Sequence, residues 1–160
     1  MTDAPDAAAS AGPLETKPVV TAFLRRPDGR ILLVRRSARV GSYQGRWSAI
    51  SGHLEDPTAL QQARREILEE TGIGAEALTL RAEAPPLAID APEYGTRWLV
   101  HPVLFDLAAG AIPRLDWENL EMDWVEPSHI AARATVPMLA EAYAACAADE
   151  RARRDKEDDA

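Results

Sequence analysis

Apolar residues along the chain fall into short runs separated by turn-forming residues. Five runs predict buried strands, at 19–24, 31–34, 47–51, 77–82 and 96–107. Pro-Asp-Gly separates the first two runs, so they are expected to form a hairpin. Pro102 interrupts the last run, which places it at a sheet edge or a bulge.

Proline and acidic residues mark the segments where regular structure is not expected. Pro-rich sequences at 85–86 and 92–95 bracket a predicted irregular excursion. The acidic, tryptophan-bearing stretch 114–123 is predicted to be a loop that leads to a strand-like pair at 124–125. Two helical stretches are expected after it, the first opening at 126–130 and the second running from 136 to about 148.

One stretch in the middle of the chain has the pattern of an amphipathic helix. Thr58 suits the N-cap, residues 59–71 contain good helix formers without Gly or Pro, and Gly72 suits the left-handed position after the last turn. One predicted face is apolar, formed by Leu60, Ala63, Ile67 and Thr71. A short strand at 47–51 leads into this segment.

The adjacent helix face carries three carboxylates, Glu66, Glu69 and Glu70. Glu66 and Glu70 repel each other at i, i+4, and the helix dipole disfavours anions in the last turn by roughly 0.3–1 kcal/mol apiece. Three convergent carboxylates without local cations suit Mg²⁺ or Mn²⁺, which prefer oxygen ligands. The same pattern would also fit an ordinary acidic surface.

The string 52–73 resembles a Nudix box. That family pattern is Gly, five residues, Glu, seven residues, then Arg-Glu-U-x-Glu-Glu-x-Gly-U, where U is aliphatic. Residues 65–73 match every specified position of the second half. The first half departs from the pattern, because Gly52 lies one residue too close to Arg65. Pro57 stands where the loop Glu is expected, and the two residues before it are acidic.

The resemblance implies an α/β fold, an α/β/α sandwich with a mixed sheet between helices. The domain is expected to span 17–148. Residues 1–16, rich in Ala, Pro, Asp and Ser, are predicted to be a disordered leader. The charged tail 149–160 is predicted to be disordered or frayed helix.

The family hydrolyses a nucleoside diphosphate linked to another group, which implies a set of site residues here. Glu66, Glu69 and Glu70 would hold one or more Mg²⁺ ions, or Mn²⁺, with a backbone carbonyl of Ser51 or Gly52 as a further ligand. The family uses the box Arg to orient a box glutamate and often draws the general base from a later loop. The implied catalytic residues are Glu69, Arg65, Glu118 and Glu121. Of the two loop residues Glu121 is preferred, because it lies closer to the strand-like 124–125.

Further residues are candidates for substrate binding. Arginine binds phosphate bidentately, and the chain offers Arg35, Arg36, Arg46 and Arg97. Trp47 leads the candidates for stacking a base, with Trp98, Tyr43 and Phe23 as alternatives that core packing would also explain. His53 follows the box glycine and either contacts a phosphate or has no role.

Composition narrows the possible partners. The net charge is −8, from 18 basic and 26 acidic residues, which argues against nucleic acid and anionic membranes as partners. A single cysteine, Cys146, precludes an internal disulfide framework, is expected to be a packing residue and agrees with a reducing, cytoplasmic location. We expect no secretory signal, no membrane span, and a monomer or homodimer.

Three functions remain open on the sequence alone. The leading prediction is a Mg²⁺-dependent pyrophosphohydrolase acting on ADP-ribose, another nucleotide sugar or a damaged nucleoside triphosphate. A non-catalytic nucleotide-binding module with the same fold is the alternative, and the altered box loop keeps it open. An RNA end-processing hydrolase is disfavoured by the acidic composition.

Overall fold

The computed structural model describes residues 12–159. Its strands and α-helices, in chain order, are β1 Glu15–Arg25, β2 Ile31–Arg36, β3 Trp47–Ser48, β4 Ile50–His53, α1 Ala59–Thr71, β5 Leu78–Glu83, β6 Leu87–Ala91, β7 Thr96–Leu107, β8 Asn119–Val125 and α2 Leu139–Asp159. Short 3₁₀ helices lie at Ala75–Ala77, Pro92–Tyr94 and Pro127–Ala132.

A mixed sheet forms the middle of the molecule. Its strand order is β3-β2-β1-β7-β5, with β4 pairing β1, β6 pairing β7 and β8 pairing β2. The two long strands β1 and β7 run parallel from Glu15↔Thr96 to Arg25↔Asp106. Both contain uninterrupted buried runs, as strands covered on both faces do. The β1–β2 hairpin is confirmed, with antiparallel pairing at Arg25↔Ile31.

Side-chain alternation divides the core into two layers. In β1, Phe23 packs on the α2 side with Leu139 and Cys146, whereas Leu24 packs on the α1 side with Ile67. The sheet therefore lies between two helices, which confirms the predicted α/β sandwich. Cys146 is fully buried in the first layer, as the sequence predicted.

Helix α1 has the predicted limits and caps. The Thr58 hydroxyl accepts from the Gln61 backbone N–H at 3.1 Å. Gly72 adopts φ 79°, and its N–H donates to the Leu68 carbonyl. Ala63, Ile67 and Thr71 are buried, so the predicted apolar face meets the sheet. The adjacent carboxylate-bearing face ranges from the exposed Glu69 to the buried Glu70.

Two segments that the sequence predicted to be irregular are strands. β6 lies between the proline-rich segments, and its buried Ala91 and half-buried Leu87 and Ile89 alternate with exposed residues. β8 takes up the second half of the predicted acidic loop together with the strand-like pair 124–125, and it pairs with β2. Its middle residues, 120–123, are exposed, and so the segment lacks the apolar signal of a strand.

Pro102 lies in a central strand, and the register shift between β5 and β7 falls opposite Leu104 and Phe105, so this proline lies neither at the predicted edge nor at that bulge. β6 pairs with β7 up to Val100, and β5 resumes the pairing at Val103. The Pro102 carbonyl accepts from the Ala84 N–H at 3.0 Å between these two partners. The missing N–H of proline therefore falls where one neighbouring strand gives way to the next.

Regular structure extends into both predicted terminal segments in the described part of the chain. β1 begins at Glu15, inside the predicted leader 1–16, and residues 1–11 of that leader lie outside the described residues. α2 continues through the predicted tail to Asp159. Ion pairs of Arg25 with Glu150 and of Arg153 with Asp149 hold the first part of this extension.

Within residues 12–159, no helix combines the length and the apolarity needed to span a membrane.

Candidate active site

A cavity of about 620 Å³ opens between helix α1, strands β1 and β4, and the N-terminus of α2. Four carboxylates line it, Glu55, Glu66, Glu69 and Glu118. Cations also line it, namely Lys17, Arg36 and Arg39. Aromatic rings complete the wall, from Tyr43, His53, Tyr94, Trp98 and Trp117. The cavity thus joins groups that suit metal, phosphate and a planar base.

Glu66 lies directly against the backbone of Gly52. A Cβ at Gly52 would come within 2.2 Å of the Glu66 carboxyl carbon, so only glycine leaves this carboxylate in place. The Gln62 amide donates to Glu66 Oε2 at 2.8 Å. Burial raises the pKa of Glu66, and the Gln62 hydrogen bond opposes that rise. The two predicted ligands Gly52 and Glu66 are therefore adjacent.

Glu70 is buried behind the cavity wall, with 4% of its surface exposed. Asn119 donates to its Oε1 at 3.2 Å, while its Oε2 is buried without a hydrogen-bond partner. Burial raises the Glu70 pKa well above its ordinary value, and the nearby charges of Glu118 and Glu66 raise it further. An uncompensated buried carboxyl oxygen of this kind is costly unless a cation or a proton binds it.

A β-bulge decides which late acidic residue reaches the cavity. Arg35 pairs with Glu121 and Arg36 pairs with Asn119, so Leu120 is left without a partner in β2. Glu121 pairs with Arg35 at 3.1 Å and does not line the cavity. Glu118 does line it, so of the two predicted candidates Glu118, rather than the preferred Glu121, lies at the cavity. Burial, then the Asp116 and Glu66 charges, raise the pKa of Glu118.

Of the predicted phosphate-binding arginines, Arg36 alone lines the cavity. It is anchored by donation to the Ser42 carbonyl at 2.9 Å. Arg35 is engaged by Glu121, Arg46 donates to the Thr135 carbonyl, and Arg97 pairs with Asp90 at 2.6 Å. Sequence reasoning missed two cavity cations, Lys17 and Arg39, because neither lies in a motif.

The box arginine has a structural partner. Arg65 pairs with Asp56 at 2.7 Å, and Arg65 is absent from the cavity lining. Asp56 is the residue just before Pro57, where the family pattern expects Glu. The predicted role of Arg65 toward a box glutamate thus becomes a contact with this loop aspartate.

The aromatic candidates divide between cavity and core. Trp47 packs against the first core layer beneath the Arg133 guanidinium, and Phe23 is fully buried, so neither lines the cavity. Tyr43 and Trp98 do, and the Trp98 indole donates to the Tyr43 hydroxyl at 3.1 Å. Tyr94, which the sequence did not single out, packs edge-on against Tyr43 with ring centroids 5.0 Å apart.

The chemistry of the cavity carboxylates and of Glu70 behind them suits a divalent cation. Across residues 12–159, no group of three or more acidic, histidine or cysteine side chains already forms a metal-binding cluster. However, the pKa values of Glu66, Glu70 and Glu118 are all raised, and Glu70 keeps an orphaned buried oxygen. A cation with oxygen ligands would offset both the repulsion and the unsatisfied oxygen.

A protein-family model matches most of the chain. The family model described as NUDIX domain matches residues 15–146. No curated protein matches the chain by sequence.

Solved structures share the fold at low sequence identity. The MutT protein from Methanosarcina mazei is 24% identical, with a TM-score of 0.66, and the match covers 89% of this chain and 96% of that one. An Ap4A hydrolase binary complex from C. elegans is 24% identical with a TM-score of 0.66, covering 82% and 98%. A NUDIX hydrolase from Nitrosomonas europaea is 20% identical with a TM-score of 0.68, covering 85% and 91%.

Proposed function

The chain belongs to the NUDIX domain family, whose hydrolases act on phosphoric anhydride bonds, and we propose that it is a Mg²⁺-dependent pyrophosphohydrolase of nucleotide derivatives. The observation that carries this proposal is the cavity itself, in which box carboxylates face Arg36, Arg39 and Lys17. A nucleoside diphosphate derivative needs this combination of a metal site and phosphate-binding cations.

Glu66, Glu69, Glu70 and the backbone carbonyl of Gly52 are the residues that would hold Mg²⁺, or Mn²⁺. Such an ion neutralises charge on phosphoryl oxygens and lowers the pKa of bound water. Asn119 and Gln62 orient two of these carboxylates by hydrogen bonds. Glu69 is the exposed member of the set and faces the cavity.

The cavity cations bind the diphosphate in this proposal. Arg36 is held by the Ser42 carbonyl, so its guanidinium loses little freedom when it binds phosphate. Arg39 stacks over the Trp117 ring at 5.3 Å and lies at the exposed side. The rings of Tyr43 and Trp98 offer a surface for the base.

Glu118 takes the proton from the attacking water in this proposal. It lines the cavity together with Glu66 and Glu69. Its raised pKa makes it a better proton acceptor than an ordinary exposed carboxylate. Glu121 serves as a structural partner of Arg35 instead.

The substrates proposed are ADP-ribose or another nucleotide sugar, a nucleoside triphosphate, and a dinucleoside polyphosphate. The last is suggested by a protein of the same fold that carries the name Ap4A hydrolase. The test is release of a mononucleotide from a panel of these compounds, with and without Mg²⁺. No turnover of any compound would favour a nucleotide-binding module, particularly if binding itself were detected.

The panel substrate then tests the assignment of the base. We expect Glu118→Gln to lower kcat by about 10² to 10⁴, the usual contribution of a positioned base. Glu121→Gln makes the same chemical change on the same chain segment and is expected to retain nearly wild-type kcat. Equal losses in both variants would contradict the role of Glu118.

A further inference from the structure

The first half of the box departs from the family pattern in the loop that follows Gly52. The loop between Gly52 and the helix is one residue short, and Pro57 stands where the family has the Glu that supports this loop. Acceptors that bind loop backbone N–H groups hold such a turn in one arrangement, and each hydrogen bond contributes about 0.5–1.5 kcal/mol. In this chain another group supplies those acceptors.

Gln62 supplies these acceptors from the first turn of α1. Its side-chain Oε1 accepts from the backbone N–H groups of Glu55 and Asp56, each at 2.8 Å. The side chain is almost fully buried, with 1% exposed. Two loop residues are thus tied to one position of the helix.

The other end of the same amide reaches a carboxylate. Gln62 Nε2 donates to Glu66 Oε2 at 2.8 Å. The assignment of the amide oxygen and nitrogen is determined chemically, since two N–H donors face one end and a carboxylate oxygen faces the other. Only glutamine satisfies both neighbours with one short, uncharged side chain.

We infer that Gln62 is a positioning residue that replaces the missing loop glutamate, holding the box loop with its oxygen and aiming Glu66 with its nitrogen. The second part rests on the proposed function, because Glu66 is proposed there as a metal ligand. Asp56 contributes from the outside by pairing with Arg65 at 2.7 Å. The shortened loop is thereby fixed to the helix at two neighbouring points.

The chain offers a matched control in the adjacent glutamine. Gln61 is exposed, and its side chain contacts the Thr58 hydroxyl rather than the loop or Glu66. Gln62→Met keeps the approximate shape and removes all three hydrogen bonds. Gln62→Glu keeps the acceptor for the loop but removes the amide donor to Glu66. Gln61→Met makes the same change one position away.

The first measurement is Mn²⁺ affinity, followed by the paramagnetic resonance of free Mn²⁺. We expect Gln62→Met to bind about 10- to 100-fold more weakly than wild type, the usual effect of removing a partner of a metal ligand. Gln61→Met is expected to bind within twofold of wild type. Equal affinity of the two methionine variants would overturn the part of the inference that concerns Glu66. Wild-type protein without Mn²⁺ affinity would instead count against the proposed function.

The second measurement is metal-free and tests the loop alone. Amide hydrogen exchange at residues 55 and 56 is expected to be at least tenfold faster in Gln62→Met than in Gln61→Met. Gln62→Glu is expected to retain slow exchange, because its carboxylate still accepts from both amides. Exchange in Gln62→Glu that is faster than in Gln61→Met would overturn the loop role, whether or not Gln62→Met folds.

Discussion

The close contact between Gly52 and the Glu66 carboxylate leaves no room for a side chain at position 52. Alanine at 52 would place its Cβ 2.2 Å from the Glu66 carboxyl carbon, so the carboxylate must move. Because the displaced group is the end of a side chain, we expect Gly52→Ala to fold but to lose at least tenfold in kcat/KM and in metal affinity. Gly12→Ala is the control, since a Cβ there meets nothing within 4 Å and Gly12 does not line the cavity. Normal activity of Gly52→Ala would show that Glu66 need not remain there.

Helix α2 is anchored to the sheet by a partly buried ion-pair network. Arg25 donates to both carboxylate oxygens of Glu150, at 2.9 and 2.6 Å, and to Asp106 at 2.7 Å. Arg25 holds the pKa of Glu150 below its ordinary value. The folded protein therefore holds this proton less tightly than the unfolded chain. The resulting stabilisation is present above the unfolded pKa, about 4.5, and is lost as the pH falls through the lower folded pKa.

We accordingly expect Glu150→Gln to lower the free energy of unfolding by about 2 kcal/mol at pH 7, the range for hydrogen bonds to charged groups. The difference from wild type is expected to shrink below about pH 4.5, as the wild-type carboxylate becomes protonated. Urea unfolding at pH 7 and near pH 3 measures it. Glu157→Gln, exposed on the same helix, should stay within about 0.5 kcal/mol of wild type. A pH-independent difference would assign the effect to packing.

The elements that the sequence predicted correctly are those with local signals. Helix α1 needs only its own residues, since Thr58 and Gly72 supply both caps and the apolar face is read from its spacing. β8 lacks such a signal, because its exposed middle residues are ordered by pairing with β2. The bulge at Leu120 cannot be read from the sequence either, and it determines that Asn119 contacts Glu70.

The site residues that were predicted are likewise those with a local sequence signal. Glu66 and Glu69 follow from helix periodicity, so their shared position on the cavity was foreseeable. Arg39 and Lys17 come from separate segments that only the tertiary fold brings together. Trp117, in the segment predicted to be an acidic loop, is 54% exposed and stacks with Arg39, a contact that only the tertiary fold creates.

The molecule as a whole carries an excess of negative charge, −8, and four carboxylates line the cavity. A divalent cation that binds only the folded state stabilises it by RT ln(1 + [L]/Kd), roughly 2.7 kcal/mol at a hundredfold excess over Kd. For a chain of this size, each kcal/mol raises Tm by about 2–4 °C. We therefore expect Mg²⁺ to raise the wild-type Tm by roughly 5–11 °C at that excess.

Bulk charge screening would also stabilise an acidic protein, and two matched variants separate it from site binding. Glu66→Gln and Glu121→Gln change the net charge equally, but Glu66 lines the cavity and Glu121 pairs with Arg35 elsewhere. If Mg²⁺ acts at the box, Glu66→Gln loses most of the Tm shift and Glu121→Gln keeps it. Screening predicts equal shifts in both variants, and NaCl at the same ionic strength would reproduce them. The measurement is the Tm of the three proteins in MgCl₂ and in NaCl. Identical Tm shifts in both salts would contradict Mg²⁺ binding at the box carboxylates.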